Sequence, residues 1–414
     1  MRVTLVGYGS TGDLLPLIAL AVALREAGHE VVTLGDEAGA PLAERRGIEF
    51  HALEGSLEDE LQPGRSLALA IDAGHFTVKS FRGYDAHDQA RLSLIQRVAQ
   101  GSDLVVGMPM AHYHAFAAAR EVGARPALGV LQPLAPTSEM APAGAGMPRL
   151  PRWLRRPTGR VVQLAGWMNA KGAINKARRA LGQPPLTADP TREVLTLCAW
   201  SPALVPQPDD WPADAFTVTG RWHLPTTDWT PDPALAAFLE AGEPPVYVGL
   251  GSMQAFSGTP KLLDTLLAGL APRRIVLAAD ESRLNSGELP ENVHRIGGFV
   301  PHDWLFPRCS VIVHHCGAGT SHQALASGVP SIPVPISMDQ PFWADRLHRL
   351  GVAAGPLDPR RPSVEHVRQA IAEAEAEPAR LRVAQLAERI AAQDGTQAAV
   401  TRLEELGQED RALS

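Results

Sequence analysis

Residues 2–36 read RVTLVGYGSTGDLLPLIALAVALREAGHEVVTLGD, and their order sets the fold. RVTLV is an apolar run of strand length, LLPLIALAVALREAGH is an amphipathic helical stretch ending near Gly28, and EVVTLGD is a second strand. Strand, glycine turn, helix, strand is the opening of a parallel α/β sheet. The turn spaces Gly7, Gly9 and Gly12 as G-x-G-x-x-G, and Asp36 closes the second strand where a ribose-binding acid would stand. Spacing alone would make this an NAD(P) site. Asp13 argues against it, because a carboxylate straight after the third glycine occupies the helix start that a diphosphate needs. The same acid caps a helix well. At the carboxyl edge of the first strand it is also placed to take a proton from a substrate hydroxyl.

The alternation continues along the chain. SDLVVGMPM, an AFAAAREVG helix and RPALGVLQP follow within 102–133, and LTLCAW (195–200) and AFTVTG (215–220) are strand-like. Prolines then crowd between Ser201 and Pro245, as at a domain connection. A new series begins with PVYVGLGSM and RRIVLAAD, runs through ENVHRIGGFV and SVIVHHCGAGTSHQALASGVPSIPVP, and ends in a helical tail from Ser363 to Leu406. The expected organisation is two α/β domains, residues 1–220 and 245–395, with a linker at 221–244 and a final helix and tail at 396–414. Each half reads as a parallel sheet covered by helices, with ligands expected outside the carboxyl ends of the strands.

Bulk properties narrow the function. A net charge of −7 opposes nucleic-acid binding, which relies on a basic face. Three cysteines without C-x-x-C spacing suit a reducing compartment. The chain opens directly on a strand, and its longest apolar run falls short of the roughly 20 residues that span a bilayer. A soluble cytoplasmic protein is the expectation.

The second glycine loop, HHCGAGTS at 314–321, has no acid after it until Asp339. His314 and His315 end a strand, Gly317 and Gly319 permit close backbone approach, and Thr320 and Ser321 start a helix. Free N–H groups, two hydroxyls and an imidazole make a diphosphate cradle. Paired histidines can also hold a metal or be structural, but no carboxylate or thiolate stands at ligand spacing, so no metal is expected.

In these motifs the chain resembles the inverting, metal-independent glycosyltransferases of the two-Rossmann-domain GT-B class, a family that includes sterol, antibiotic and plant glycosyltransferases. GSTGDLLPLIALAVALREAGHEV is similar to the G-S-R-G-D-x-x-P opening of that family. LQPLAPTSEMAP, GRWHLP and PPVYVGLGSM are similar to its sterol-glucosyltransferase-like branch, and HHCGAGTSHQALASGVPSIPVPISMDQPFWADRLHRLGV to its donor-binding signature. The resemblance implies a GT-B fold whose last helix crosses back to the first domain. It implies Asp13 as the catalytic base; Ser252, His315, Gly317, Gly319 and Thr320 at the donor diphosphate; Phe299 and Val300 at the nucleobase; and Asp339 and Gln340 at the donor sugar. Ser10, Thr11, His75, Phe76 and His112 are acceptor-side candidates. Thr11 replaces an arginine, Cys316 a glycine, and Gln323 stands where plant members carry a glutamate. No cofactor is implied beyond the co-substrate, a UDP-sugar or dTDP-sugar. The expected reaction is transfer of a sugar, glucose from UDP-glucose first, to a hydroxyl of an apolar sterol, terpenoid, polyketide or phenolic acceptor. A dTDP-deoxysugar transferase and an NAD(P)-dependent oxidoreductase are the alternatives.

Residues 149–179 contain nine basic residues and no acid, with Trp153 and Trp167 interleaved. A solvated helix face is the plainer reading, and a peripheral contact with an anionic membrane the other.

Overall fold

A computed structural model describes residues 1–55, 87–145, 147–192, 194–226, 229–251, 258–280, 282, 284 and 289–411. The chain divides into two compact units, one formed by residues 1–145, 149–224 and 393–414, the other by 146–148 and 225–392. Among the described residues no helix is long and apolar enough to cross a membrane.

The first unit is a seven-stranded parallel sheet. Its strands are β1 (Arg2–Val6), β2 (Glu30–Gly35), β3 (Glu49–Ala52), β4 (Leu104–Gly107), β5 (Arg125–Val130), β6 (Leu195–Cys198) and β7 (Phe216–Val218), in spatial order β3-β2-β1-β4-β5-β6-β7. Leu5 of β1 lies opposite Thr33 of β2 and Val106 of β4. Helices α1 (Thr11–Glu26), α2 (Ala40–Glu44), α3 (Asp88–Val98), α4 (His112–Val122) and α5 (Arg152–Ala180) belong to this unit. Strand order reverses between β1 and β4, so the loops after these two strands flank the crevice where such sheets bind ligands.

The sequence pattern predicts an amphipathic α1, and here the structure differs. Leu14, Leu17, Ile18, Leu20, Ala21 and Leu24 are fully buried, and apolar residues face every direction. The last helix of the chain explains this by covering the side that would otherwise meet water. Its Ala399, Val400 and Leu403 join Leu17, Leu20 and Leu24 in one core. Gly395, which opens that last helix, is packed so tightly that a Cβ there would lie 2.4 Å from the Arg221 carbonyl.

The second unit holds β8 (Val246–Gly249), β9 (Ile275–Ala278), β10 (Val293–Ile296), β11 (Val311–His314) and β12 (Ser331–Pro333), in order β10-β9-β8-β11-β12. Val313 of β11 stands opposite Val248 and Ile332. Its helices are α6 (Pro233–Glu240), α7 (Thr259–Leu270), α8 (His302–Leu305), α9 (Ala318–Ala326), α10 (Gln340–Arg349), α11 (Val364–Glu375) and α12 (Glu377–Ala391); α13 (Gly395–Arg411) returns to the first unit. The stretch read as a linker at 221–244 contains α6. Asp232 caps that helix through its side chain, and Leu235 enters the core with Tyr247 and Ile312. The order reverses again, between β8 and β11.

Candidate active site

In the first unit the G-x-G-x-x-G loop is filled by its own acid. Oδ2 of Asp13 accepts hydrogen bonds from both the amide and the hydroxyl of Ser10, each at 2.9 Å. A Cβ at Gly9, whose φ is +143°, would lie 2.5 Å from that oxygen. Gly9 is therefore a glycine because the Asp13 carboxylate needs the space. Gly7 meets Leu17 of α1, with a Cβ there 3.0 Å from Cδ2, and Gly12 faces open space except for Ser10. Asp36 accepts from the Ala38 amide in its own turn. Each part of the apparent dinucleotide signature thus has a partner inside the chain.

Burial raises the Asp13 carboxyl above the ordinary aspartate range, and the two Ser10 bonds pull it partly back. The side chain is half-buried and Thr11 is exposed beside it. His112 begins α4 on the loop after β4, the other side of the same switch point. A Cβ at Gly107 would lie 2.8 Å from the His112 Cα, so the turn closes tightly. Desolvation, with His114 as a lesser repulsive neighbour, lowers His112 to about 4. Its Nδ1 is buried without a hydrogen-bond partner among the described residues. His75 and Phe76 lie outside the described residues.

In the second unit every described donor-side candidate follows the carboxyl end of a strand, on a loop or in the first turn of the helix after it. Phe299 and Val300 follow β10, His315 to Thr320 follow β11, and Asp339 and Gln340 follow β12. Ser252, after β8, lies outside the described residues. The His315 ring rests between two glycines. A Cβ at Gly251 would meet its Cε1 at 2.7 Å, and one at Gly317 its Nε2 at 2.7 Å. The Nδ1 of His315 is buried and unpartnered among the described residues. Burial foremost, and His302 second, lower this imidazole to about 4, so it is neutral near pH 7. His314 is fully buried and accepts from the Cys316 amide at 3.1 Å, which makes it a structural member of the turn. A Cβ at Gly319 would meet nothing within 4 Å, so the first turn of α9 is open. Thr320 follows, partly exposed, and Ser321 is buried.

Phe299 is 54% exposed, an unusual position for a large aromatic and one suited to stacking. Val300 packs at the edge of the core below it. Gln340 is buried, and its Oε1 accepts from the amides of Ile336 and Ser337 at 2.8 and 3.0 Å. It shapes the loop and has its NH2 group left to offer a ligand. Asp339 is held by the indole of Trp343, whose Nε1 donates to Oδ2 at 2.7 Å. Gln323 donates to Ser327 within α9. Among the described residues no group of three or more His, Cys, Asp or Glu side chains could hold a metal ion.

Two features escaped the sequence. Trp343 fixes Asp339 from one turn further along α10, a spacing of four that was available in DQPFW. The other has no signal in composition. Among the described residues three non-glycine residues have positive φ: Met110 (69°), Cys316 (67°) and Met338 (56°). They stand two residues before His112, one after His315 and one before Asp339. Strain of this kind collects at functional loops, and it marks the same loops that the motifs chose.

Comparison with known proteins places the whole chain in a family. Residues 3–92 match the family model of the glycosyltransferase family 28 N-terminal domain, and residues 262–406 that of the erythromycin biosynthesis protein CIII-like C-terminal domain. The chain is 32% identical to an O-mycaminosyltylonolide 6-deoxyallosyltransferase of Streptomyces fradiae, covering 98% of this chain and 97% of that one. It is 31% identical to a vancomycin aglycone glucosyltransferase of Amycolatopsis orientalis, over 86% of this chain and 87% of that one. A sterol 3-beta-glucosyltransferase of Arabidopsis thaliana is 29% identical, over 97% and 67%. Among solved structures, the glycosyltransferase of kitacinnamycin superposes with a TM-score of 0.71 at 22% identity, covering 98% of both chains. The spinosyn forosaminyltransferase SpnP gives 0.71 at 21%, covering 99% of both. The chain belongs to the GT-B glycosyltransferases that pair a family 28 N-terminal domain with an erythromycin CIII-like C-terminal domain.

Proposed function

We propose that this glycosyltransferase moves a sugar, with inversion, from a nucleoside diphosphate to a hydroxyl of a bulky apolar small molecule. The observation that carries the donor half is the His315 ring, wedged between Gly251 and Gly317 with a buried, unpartnered Nδ1 at the switch point of the second sheet. A neutral imidazole N–H and the open amides of α9 supply fixed partial positive charge to a departing diphosphate, which lowers the barrier to breaking the sugar–phosphate bond. Phe299 stacks on the base, and Asp339 and the Gln340 amide take sugar hydroxyls. In the acceptor half, Oδ2 of Asp13 is occupied by Ser10, so Oδ1 is the oxygen that receives the acceptor proton. Its raised pKa makes it a better base than an ordinary aspartate. The acceptor oxygen attacks the anomeric carbon on the face opposite the phosphate, and the configuration inverts. Thr11 and His112 line the acceptor side.

UDP-glucose is the donor proposed first, in keeping with relatives named as glucosyltransferases. A deoxysugar donor carried on thymidine diphosphate is the second reading, favoured by the 6-deoxyallosyl transfer named for the Streptomyces relative. Macrolide-like and sterol-like aglycones are the acceptor classes to try. The test is thermal unfolding with UDP, dTDP, NAD and NADP, each at about 100 times its dissociation constant, where a specific ligand adds roughly 2.7 kcal/mol. A rise with a nucleoside diphosphate alone is expected, and a rise with NAD or NADP alone overturns the reading. Asp13→Asn is then expected to keep the nucleotide shift and lose about 10²–10⁴ in transfer rate.

A further inference from the structure

Helix α5 (Arg152–Ala180) has two apolar faces, and the unit's core uses one of them. Trp167, Ile174 and Ala177 are buried, with Trp167 against Tyr113 at 5.5 Å between ring centroids. The second face is in water. Trp153 is 74% exposed, Val161 66%, Leu164 56% and Met168 61%. At 3.6 residues per turn, positions 153, 161, 164 and 168 fall within a stripe about 80° wide. Four large apolar side chains aligned on the outside of one helix are not scattered surface residues.

The charge beside the stripe is of one sign. Arg152, Arg156 and Arg160, exposed and four residues apart, form a column along its edge, and no acid occurs anywhere from 149 to 179. Arg156 has a distant partner in Asp210 at 3.9 Å. Local positive charge on a chain of net charge −7 is set against the molecule's overall balance. What fits here must be apolar beneath and anionic at its surface. A second copy meeting this face symmetrically would set arginine column against arginine column, which opposes self-association through it.

We propose that α5 docks the protein on an anionic lipid bilayer, with Trp153, Val161, Leu164 and Met168 at the level of the acyl chains and Arg152 and Arg160 on the headgroup phosphates. Tryptophan prefers that interface, and arginine stems lie along apolar surface while their heads reach the anions. Docking is reversible, because one helix face inserts and nothing spans. The buried Trp167 of the same helix touches Tyr113, the neighbour of His112, which is assigned to the acceptor side. Binding to lipid does not depend on that assignment.

The test is co-sedimentation of the full chain with phosphatidylcholine vesicles, with and without about 30% phosphatidylglycerol, an anionic content of the kind that draws polybasic segments. Binding is expected to the anionic vesicles alone and to fall steeply as salt rises. Arg152→Gln and Arg160→Gln are each expected to weaken it about fivefold. The triple variant Trp153→Ser, Leu164→Ser, Met168→Ser is expected to abolish it without changing circular dichroism or melting temperature, since these side chains are exposed. Three results overturn the proposal: no binding to anionic vesicles, undiminished binding by the triple variant, or a concentration-dependent dimer in sedimentation that the triple variant loses. The last would make the stripe a protein interface.

Discussion

Ser10 and Asp13 are joined twice through one oxygen: the Ser10 amide and hydroxyl both donate to Asp13 Oδ2 at 2.9 Å. Ser10 thereby leaves Oδ1 as the carboxylate oxygen without a Ser10 bond, and it stabilises the ionised form that the proposed general base requires. Burial works the other way and raises the pKa. Activity that depends on this base rises with pH through the Asp13 pKa. Ser10→Ala removes one of the two bonds that lower it, so the acid limb of the kcat/KM profile is expected to move to higher pH with the plateau retained. A limb that stays in place would mean that another group titrates. The stability consequence has the opposite sense for Asp13→Asn. Because the folded pKa is raised, the ionised carboxylate costs stability, and the loss sets in as pH rises from the unfolded value near 3.8 through the folded one. The asparagine variant is therefore expected to be as stable as the parent or more so at pH 7, which separates lost chemistry from lost folding.

The Gly317 position tests the donor loop through its contact with the His315 ring. Its φ is −59°, a value any residue adopts, so the backbone tolerates alanine. The new Cβ would stand 2.7 Å from the His315 Nε2, and overpacking of this kind costs about 1–3 kcal/mol. The ring must move, and the affinity for UDP or dTDP measured by calorimetry is expected to fall by about tenfold, the equivalent of 1.4 kcal/mol. Unchanged affinity would remove His315 from the diphosphate site.

Much of the fold was legible because strand and helix periods alternate strongly in both halves and glycine turns punctuate them. The two glycine loops were legible for the same reason. Their glycines, however, looked alike in sequence and differ in cause: Gly9 clears space for Asp13, Gly7 for Leu17, and Gly251 and Gly317 for a histidine. Spacing alone reports close approach and not what approaches. Helix α1 was misread as amphipathic because its outer cover, Ala399 to Leu403, is nearly 400 residues distant, and no local window contains it. Helix α6 was passed over although Asp232–Pro233 is a helix start, with a side-chain cap followed by a proline at the first position. The abundance of proline around it read as connection. Met110 and Met338 gave no sign at all, since nothing in a methionine announces a positive φ.

Trp343 ties α10 to Asp339, the residue proposed to grip the sugar, and a conservative change separates that tie from packing. Trp343→Phe keeps an aromatic ring in a fully buried site but removes the indole N–H that holds Asp339 Oδ2 at 2.7 Å. A hydrogen bond to a charged group contributes roughly 1.5–3 kcal/mol. If Asp339 grips the sugar, KM for the nucleotide sugar is expected to rise about tenfold or more, while the affinity for the nucleoside diphosphate without its sugar stays the same. Equal weakening of both ligands would show that the tryptophan supports the loop as a whole.

Cys316 occupies the position where resemblance to the family expects glycine, and its φ of +67° shows why glycine suits it. A left-handed conformation costs an L-residue about 1–2 kcal/mol. The thiol recovers part of this by lying fully buried and donating to the His314 carbonyl at 3.6 Å. Glycine relieves the strain but gives up those contacts, and it loses roughly 0.5–1 kcal/mol more backbone freedom on folding than alanine does. These terms nearly cancel for Cys316→Gly, which is expected to stay within about 1 kcal/mol of the parent, a modest value for a core change. Cys316→Ala keeps the strain and loses the thiol, so it should be the less stable of the two. Urea midpoints decide the order, and a glycine variant weaker than the alanine one would mean that the turn is held by packing against the side chain and not by its backbone conformation.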